Sequence, residues 1–89
     1  MHEHTLIKSL LHKIDDIALQ QTPKRIQHIT ITLGALSHIS AEHFREHFEQ
    51  AVANTPLQSV ALTVECETDI HANTAQDIIL KSIDFVESE

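Results

Sequence analysis

The sequence predicts an α+β domain: two helices packed on one face of a three-stranded mixed sheet, in the order α-β-α-β-β. Two segments carry apolar residues at helical spacing, and three carry them at strand spacing. Chain breakers fall between these segments, and only one of the 89 residues is glycine.

Leu6, Ile7, Leu10, Leu11, Ile14, Ile17 and Ala18 form one stripe, with His12 nearly opposite it. The spacing predicts a helix from about Thr5 to about Gln21, stopped by Thr22-Pro23 because proline lacks the N–H that the next turn needs. Ile29, Ile31 and Leu33 then alternate with His28, Thr30 and Thr32, which predicts a strand with one buried face. Gly34 is expected to end it at a turn whose backbone disfavours a side chain. Ser40 reads as a helix N-cap, and Glu42 suits the positive end of the helix dipole. Ala41, Phe44, Phe48, Ala51 and Val52 make the buried stripe of this second helix. Asn54 can terminate it, and Pro56 prevents its continuation.

Val60, Leu62, Val64 and Cys66 alternate with Ala61, Thr63 and Glu65 in a second strand, which puts Cys66 on the buried side as a small apolar residue. Residues 67–77 are polar and aperiodic and read as a loop. Residues 78–86 read as a third strand; both of its alternation frames hold apolar residues, and Ile83 and Phe85 are expected to point inward. The helical crossover between the first two strands favours parallel pairing. The second and third strands are expected to pair antiparallel across the polar loop. No repeat or linker interrupts residues 1–89, so a single domain is expected.

Composition narrows the function. The formal charge is −7 and no basic cluster occurs, which argues against nucleic acid, since phosphates need Lys or Arg on one face. No apolar run approaches the ~20 residues of a membrane span, and no secretory signal is read at the start, so a cytoplasmic protein is expected. One cysteine permits neither an internal disulfide nor a multi-cysteine zinc site. No Ser-His-Asp pattern, paired catalytic carboxylates or glycine-rich phosphate loop is seen, and Cys66 is flanked by Glu65 and Glu67 rather than by the cations that activate a thiol. The chain therefore reads as a non-enzyme. Its unusual feature is eight histidines, the commonest metal ligand.

Several segments, in order, carry a resemblance. The chain begins Met1-His2-Glu3, followed by a helix with Leu6, Leu10 and Leu11. Arg25-Ile26, an isoleucine strand and Leu33-Gly34-Ala35-Leu36-Ser37 come next. A helix with Phe44 and Phe48-Glu49 follows, then Ala61-Leu62 with Glu65, and finally Leu80-Lys81-Ser82-Ile83-Asp84. Over residues 1–65 and 79–87 this resembles the HypA/HybF nickel metallochaperones of [NiFe]-hydrogenase maturation, some of which also serve urease. That family inserts a zinc module with two Cys-x-x-Cys pairs between its last two strands. Here the module is absent between about residues 66 and 78, so no structural zinc is expected.

The resemblance implies nickel capture at the chain start, through the Met1 amine with His2 and Glu3, and delivery to a hydrogenase precursor. The partners it implies are a hydrogenase maturation GTPase and the hydrogenase large subunit. The chemistry is independently sound: Ni(II) with nitrogen donors favours a square plane, which an amine, deprotonated backbone amides and one imidazole can fill. Binding releases protons from groups with unperturbed pKa values of about 7.7–8.0 and about 6.5, so affinity should fall as pH drops through that range. His4 is an additional candidate, as a ligand or as a group orienting His2; a solvated histidine at a helix start is the plainer reading. His43 and His47, spaced i,i+4, suit a divalent ion, but they also suit a polar flank with Glu42, Arg45 and Glu46, which is the reading adopted. Asp69 and His71 read as solvated loop residues, His28 as pointing off the sheet, and His38 as a loop residue. The alternative function is a zinc-free docking module for metalloenzyme assembly, with weak or no metal binding. A homodimer paired through an edge strand is left open by the sequence.

Overall fold

The computed structural model describes residues 2–87. Helix α1 spans His2–Gln20, strand β1 Arg25–Leu33, helix α2 Ala41–Val52, strand β2 Ala61–Cys66 and strand β3 Ile78–Val86. A short 3-10 turn at Pro56–Ser59, which the sequence reading did not include, leads into β2. The α+β class and the element order are as expected.

Both helices bury their stripes against β1. The core is Ile7, Leu10 and Ile14 of α1, Ile29, Ile31 and Leu33 of β1, and Phe44, Phe48 and Val52 of α2. Phe44 and Phe48 stack with ring centroids 6.0 Å apart, which places two large apolar surfaces where a small domain needs them most. Two residues of the expected stripes lie at their exposed margins instead, Leu6 in α1 and Ala51 in α2. Helix α1 also starts three residues before the expected Thr5.

Helix α2 begins as read. The Ser40 hydroxyl accepts a hydrogen bond from the His43 amide at 3.0 Å, satisfying a donor that the first turn leaves without an intrahelical partner. At the far end Asn54 takes a left-handed φ of 64°, a conformation asparagine tolerates. Arg45 donates to the Leu62 carbonyl at 3.0 Å and ties α2 to β2.

The sheet order is β2-β1-β3, with β1 parallel to β2 and antiparallel to β3. The expected pairing of the second and third strands is thus incorrect. β3 crosses the end of the sheet and pairs with the opposite edge of β1, so that the most buried strand has both edges hydrogen-bonded. The register also resolves the two apolar frames of β3. The pairs Thr30↔Ser82 and Ile31↔Leu80 leave Lys81 between them as a bulge, and a bulge reverses the alternation. Ile83 on one side of it, and Leu80 and Ile78 on the other, therefore all pack against the core. Phe85 is half-buried.

Gly34 is required for a reason different from the one expected. Its φ is not in the left-handed region. A Cβ there would overlap the Ala75 carbonyl and the Thr74 oxygen, because the 67–77 segment folds down onto it. The Gly34 amide donates to Asp77 O at 2.8 Å, and the Leu36 amide to Ala75 O at 2.6 Å. The polar loop is therefore a docked, turn-rich segment with Ala75 buried.

Candidate metal centre

The first turn of α1 holds His2, Glu3 and His4. Met1 lies outside the described residues, and so do the side chains of the three residues after it. The backbone still carries a chemical consequence. The first four N–H groups of an α-helix have no intrahelical acceptor. The amide nitrogens of His2 and Glu3 can therefore be deprotonated and given to a metal without breaking a helical hydrogen bond.

The remaining histidines separate by environment. His12 and His71 are exposed, and the His71 amide donates to Asp69 Oδ1 at 2.9 Å in a local turn. His38 is exposed, with φ 62°. His28 points off the sheet as expected and belongs to a chain of contacts that spans it. Its Nδ1 lies 3.1 Å from Asp84 Oδ2 on β3, and its Nε2 lies 2.6 Å from Thr63 Oγ1 on β2. Beside it Lys81 Nζ reaches Glu65 Oε1 at 2.7 Å, again from β3 to β2. That hydrogen bond and the Glu65 charge hold the Lys81 ammonium above its ordinary value of 10.5. Thr30 and Thr32, which alternate with the core residues of β1 on the same frame as His28, are buried. The sequence reading missed this cross-sheet network; the only signal was that His28, Asp84 and Thr63 lie on outward frames of three neighbouring strands.

His43 and His47 sit on one flank of α2, His43 exposed and His47 half-buried. Their ring centroids are 4.5 Å apart and their planes 35° apart. Cys66 is exposed, contrary to the expectation that it is buried. It is the last residue of β2 and pairs with Leu33 at the sheet end. Among the described residues no group of three His, Cys, Asp or Glu is placed to hold a metal ion. A groove of about 740 Å³ opens at the C-terminal ends of both helices, lined by Leu11, Ala18, Leu19, Ile26, Val52 and Pro56 among others. Among the described residues no helix is long and apolar enough to cross a membrane.

The architecture is that of a known solution structure, described as that of the HypA protein. It superposes with a TM-score of 0.60 over 98% of this chain and 93% of that one, at 15% identity, which speaks for the fold. The class is therefore the two-helix, three-stranded α+β fold of that protein. By sequence, residues 1–78 match the family described as "Hydrogenase/urease nickel incorporation, metallochaperone, hypA". The chain belongs to this family, which is one of metallochaperones rather than enzymes. No curated protein matches the chain by sequence.

Proposed function

We propose that the chain captures Ni(II) at its start, through the Met1 amine, the backbone nitrogens that follow and the His2 imidazole, with Glu3 adding a nitrogen or a neighbouring charge. It then delivers the ion for assembly of a [NiFe]-hydrogenase or a urease. The observation that carries this reading is the nickel-incorporation family match, which begins at residue 1 and so includes Met1-His2-Glu3. The first-turn amides of α1 support it, because they donate no intrahelical hydrogen bond that a metal would have to replace. His4 supplies or orients a further donor. A maturation GTPase and the hydrogenase large subunit are the partners, in the cytoplasm.

The chain does this as one domain without structural zinc. Residues 67–77 lie between β2 and β3 where the family resemblance sets a zinc module, and one cysteine cannot supply four thiolates.

The test is a Ni(II) titration of untagged protein, followed by absorbance. One equivalent should produce the yellow d–d band of square-planar nickel. His2→Ala, or acetylation of the Met1 amine, should abolish it. Retention of the band by the acetylated chain removes the amine from the site. The docking reading has one observation in its favour, the apolar groove beside Leu19, a leucine 75% exposed. Absence of binding at micromolar nickel in every form makes that reading the better one.

A further inference from the structure

The groove of about 740 Å³ at the C-terminal ends of the two helices has an apolar floor. Leu11 and Ala18 of α1, Val52 of α2, and Leu57 and Val60 at the 3-10 turn make that floor, and all but Val52 are only partly buried. Leu19 stands at the groove with 75% of its surface exposed. A lone exposed leucine is ordinary on a protein surface. This one is continuous with an apolar concavity, which is the pattern of a docking surface. The charges around it are of both signs. Asp15 lies one turn before Leu19 on α1, and Lys24 and Arg25 lie where the chain enters β1. Two of the six Lys and Arg residues thus stand at one groove in a chain of net charge −7. Among the described residues none of these three forms an ion pair within the chain. A surface with an exposed leucine, an apolar slot, an anion and two cations is complementary to a copy of itself. Pairing about a two-fold axis requires that property, because each patch must meet its own image.

We propose that two copies of the chain pair through this groove about a two-fold axis. Leu19 of each chain enters the groove of the other, and Asp15 of each faces the partner's Lys24 and the partner's Arg25. The leucines supply affinity by leaving water. The charge pairs fix the register, since a slip sets like charges against each other. The net negative charge of the chain opposes the approach of two copies in general, and the cations at this groove lessen that opposition here. The groove lies at the other end of α1 from His2, so pairing leaves the chain start uncovered. No strand edge takes part, which separates this dimer from one built by extending the sheet.

The experiment is sedimentation equilibrium of the full untagged chain from about 1 μM to about 1 mM, the range of weak to moderate association. A monomer–dimer equilibrium is expected. Leu19→Ala takes two leucines out of the interface, each worth about tenfold or more, and should weaken pairing about a hundredfold. Its melting temperature in dilute solution should match that of the parent, as for a surface substitution. Asp15→Arg makes the charges at the groove wholly positive, and Lys24→Glu combined with Arg25→Glu makes them wholly negative. Each of these variants alone should be monomeric, and an equal mixture of the two should pair, because every facing charge is then opposite. A parent chain that stays monomeric at about 1 mM overturns the dimer and leaves the groove to a different protein. A dimer that survives Leu19→Ala pairs through another surface, such as a strand edge, and overturns the groove assignment. Charge variants that pair alone, or that fail to pair when mixed, overturn the facing of Asp15 with Lys24 and Arg25.

Discussion

Replacing Gly34 with alanine tests the claim that the 67–77 segment is part of the folded structure rather than a tether. The added methyl group would meet the Ala75 and Thr74 carbonyls, which are backbone atoms and cannot rotate aside. The segment must lift, which breaks the Gly34–Asp77 and Leu36–Ala75 hydrogen bonds at about 1 kcal/mol each. It also exposes Ala75, now 5% exposed, and one methyl is worth about 0.8 kcal/mol. Against this, alanine narrows the unfolded ensemble and returns about 0.4–1 kcal/mol. The net loss is about 2 kcal/mol, a large share of the ~4–13 kcal/mol expected at ~0.05–0.15 kcal/mol per residue. Urea denaturation should show a lower midpoint with an unchanged slope, and the Gly34 and Leu36 amides should lose protection from hydrogen exchange. A midpoint change equivalent to less than about 0.5 kcal/mol, the usual range of an inconsequential surface substitution, would refute the reasoning.

Four further predictions follow from the same contacts. Phe44→Ala opens a cavity at a side chain with no exposure and should cost about 3–5 kcal/mol in urea titrations. Ser40→Ala leaves the His43 amide without its acceptor and should cost about 1 kcal/mol, with lower helicity by circular dichroism. Lys81, raised above 10.5 by Glu65, contributes stability fully below that value and loses it as pH climbs through the raised one. Glu65→Gln should bring the Lys81 NMR titration back toward 10.5, and an unmoved titration would mean the ion pair is not formed in solution. Cys66 should react with a disulfide reagent in the native state at nearly the rate of an unfolded thiol; a rate limited by global unfolding would place it in the interior after all.

The sequence made the elements legible because each carries a strong local signal. The Ser40 cap, the Phe44/Phe48 stripe and the Ile29-Ile31-Leu33 alternation are local, and all three stand in the structure. Pairing is not local. The 67–77 loop suggested a simple hairpin between the strands it joins, and nothing nearby revealed that β3 completes the far edge of β1. The Lys81 bulge hid in the same way: it showed only as an ambiguous apolar pattern, and the partner strand gives that pattern its meaning. Cys66 was misplaced because alternation gives a face and not an edge: β2 lies at the edge of the sheet, its Leu62 and Val64 are only half-buried, and its last residue is exposed. Of the candidate centre, Met1-His2-Glu3 rests on family resemblance, and no geometry of their side chains stands beside it. The approach of α1 to the His43/His47 flank became visible only once the helices were seen side by side.

Leu33 has a particular place in this architecture. On one side its partner is Cys66, where β2 stops, and on the other Ile78, where β3 starts. Adjacent strands lie about 4.7–4.9 Å apart, so these two ends stand about 10 Å from each other at one rim of the sheet. A gap that narrow can be spanned by a short strap or by an entire extra unit without disturbing the ladder between them, at the cost of the contacts that residues 67–77 make with Gly34 and Leu36. This rim is therefore a permissive junction, where evolution or an engineer can lengthen, shorten or exchange the connection while the helices keep their positions on the sheet.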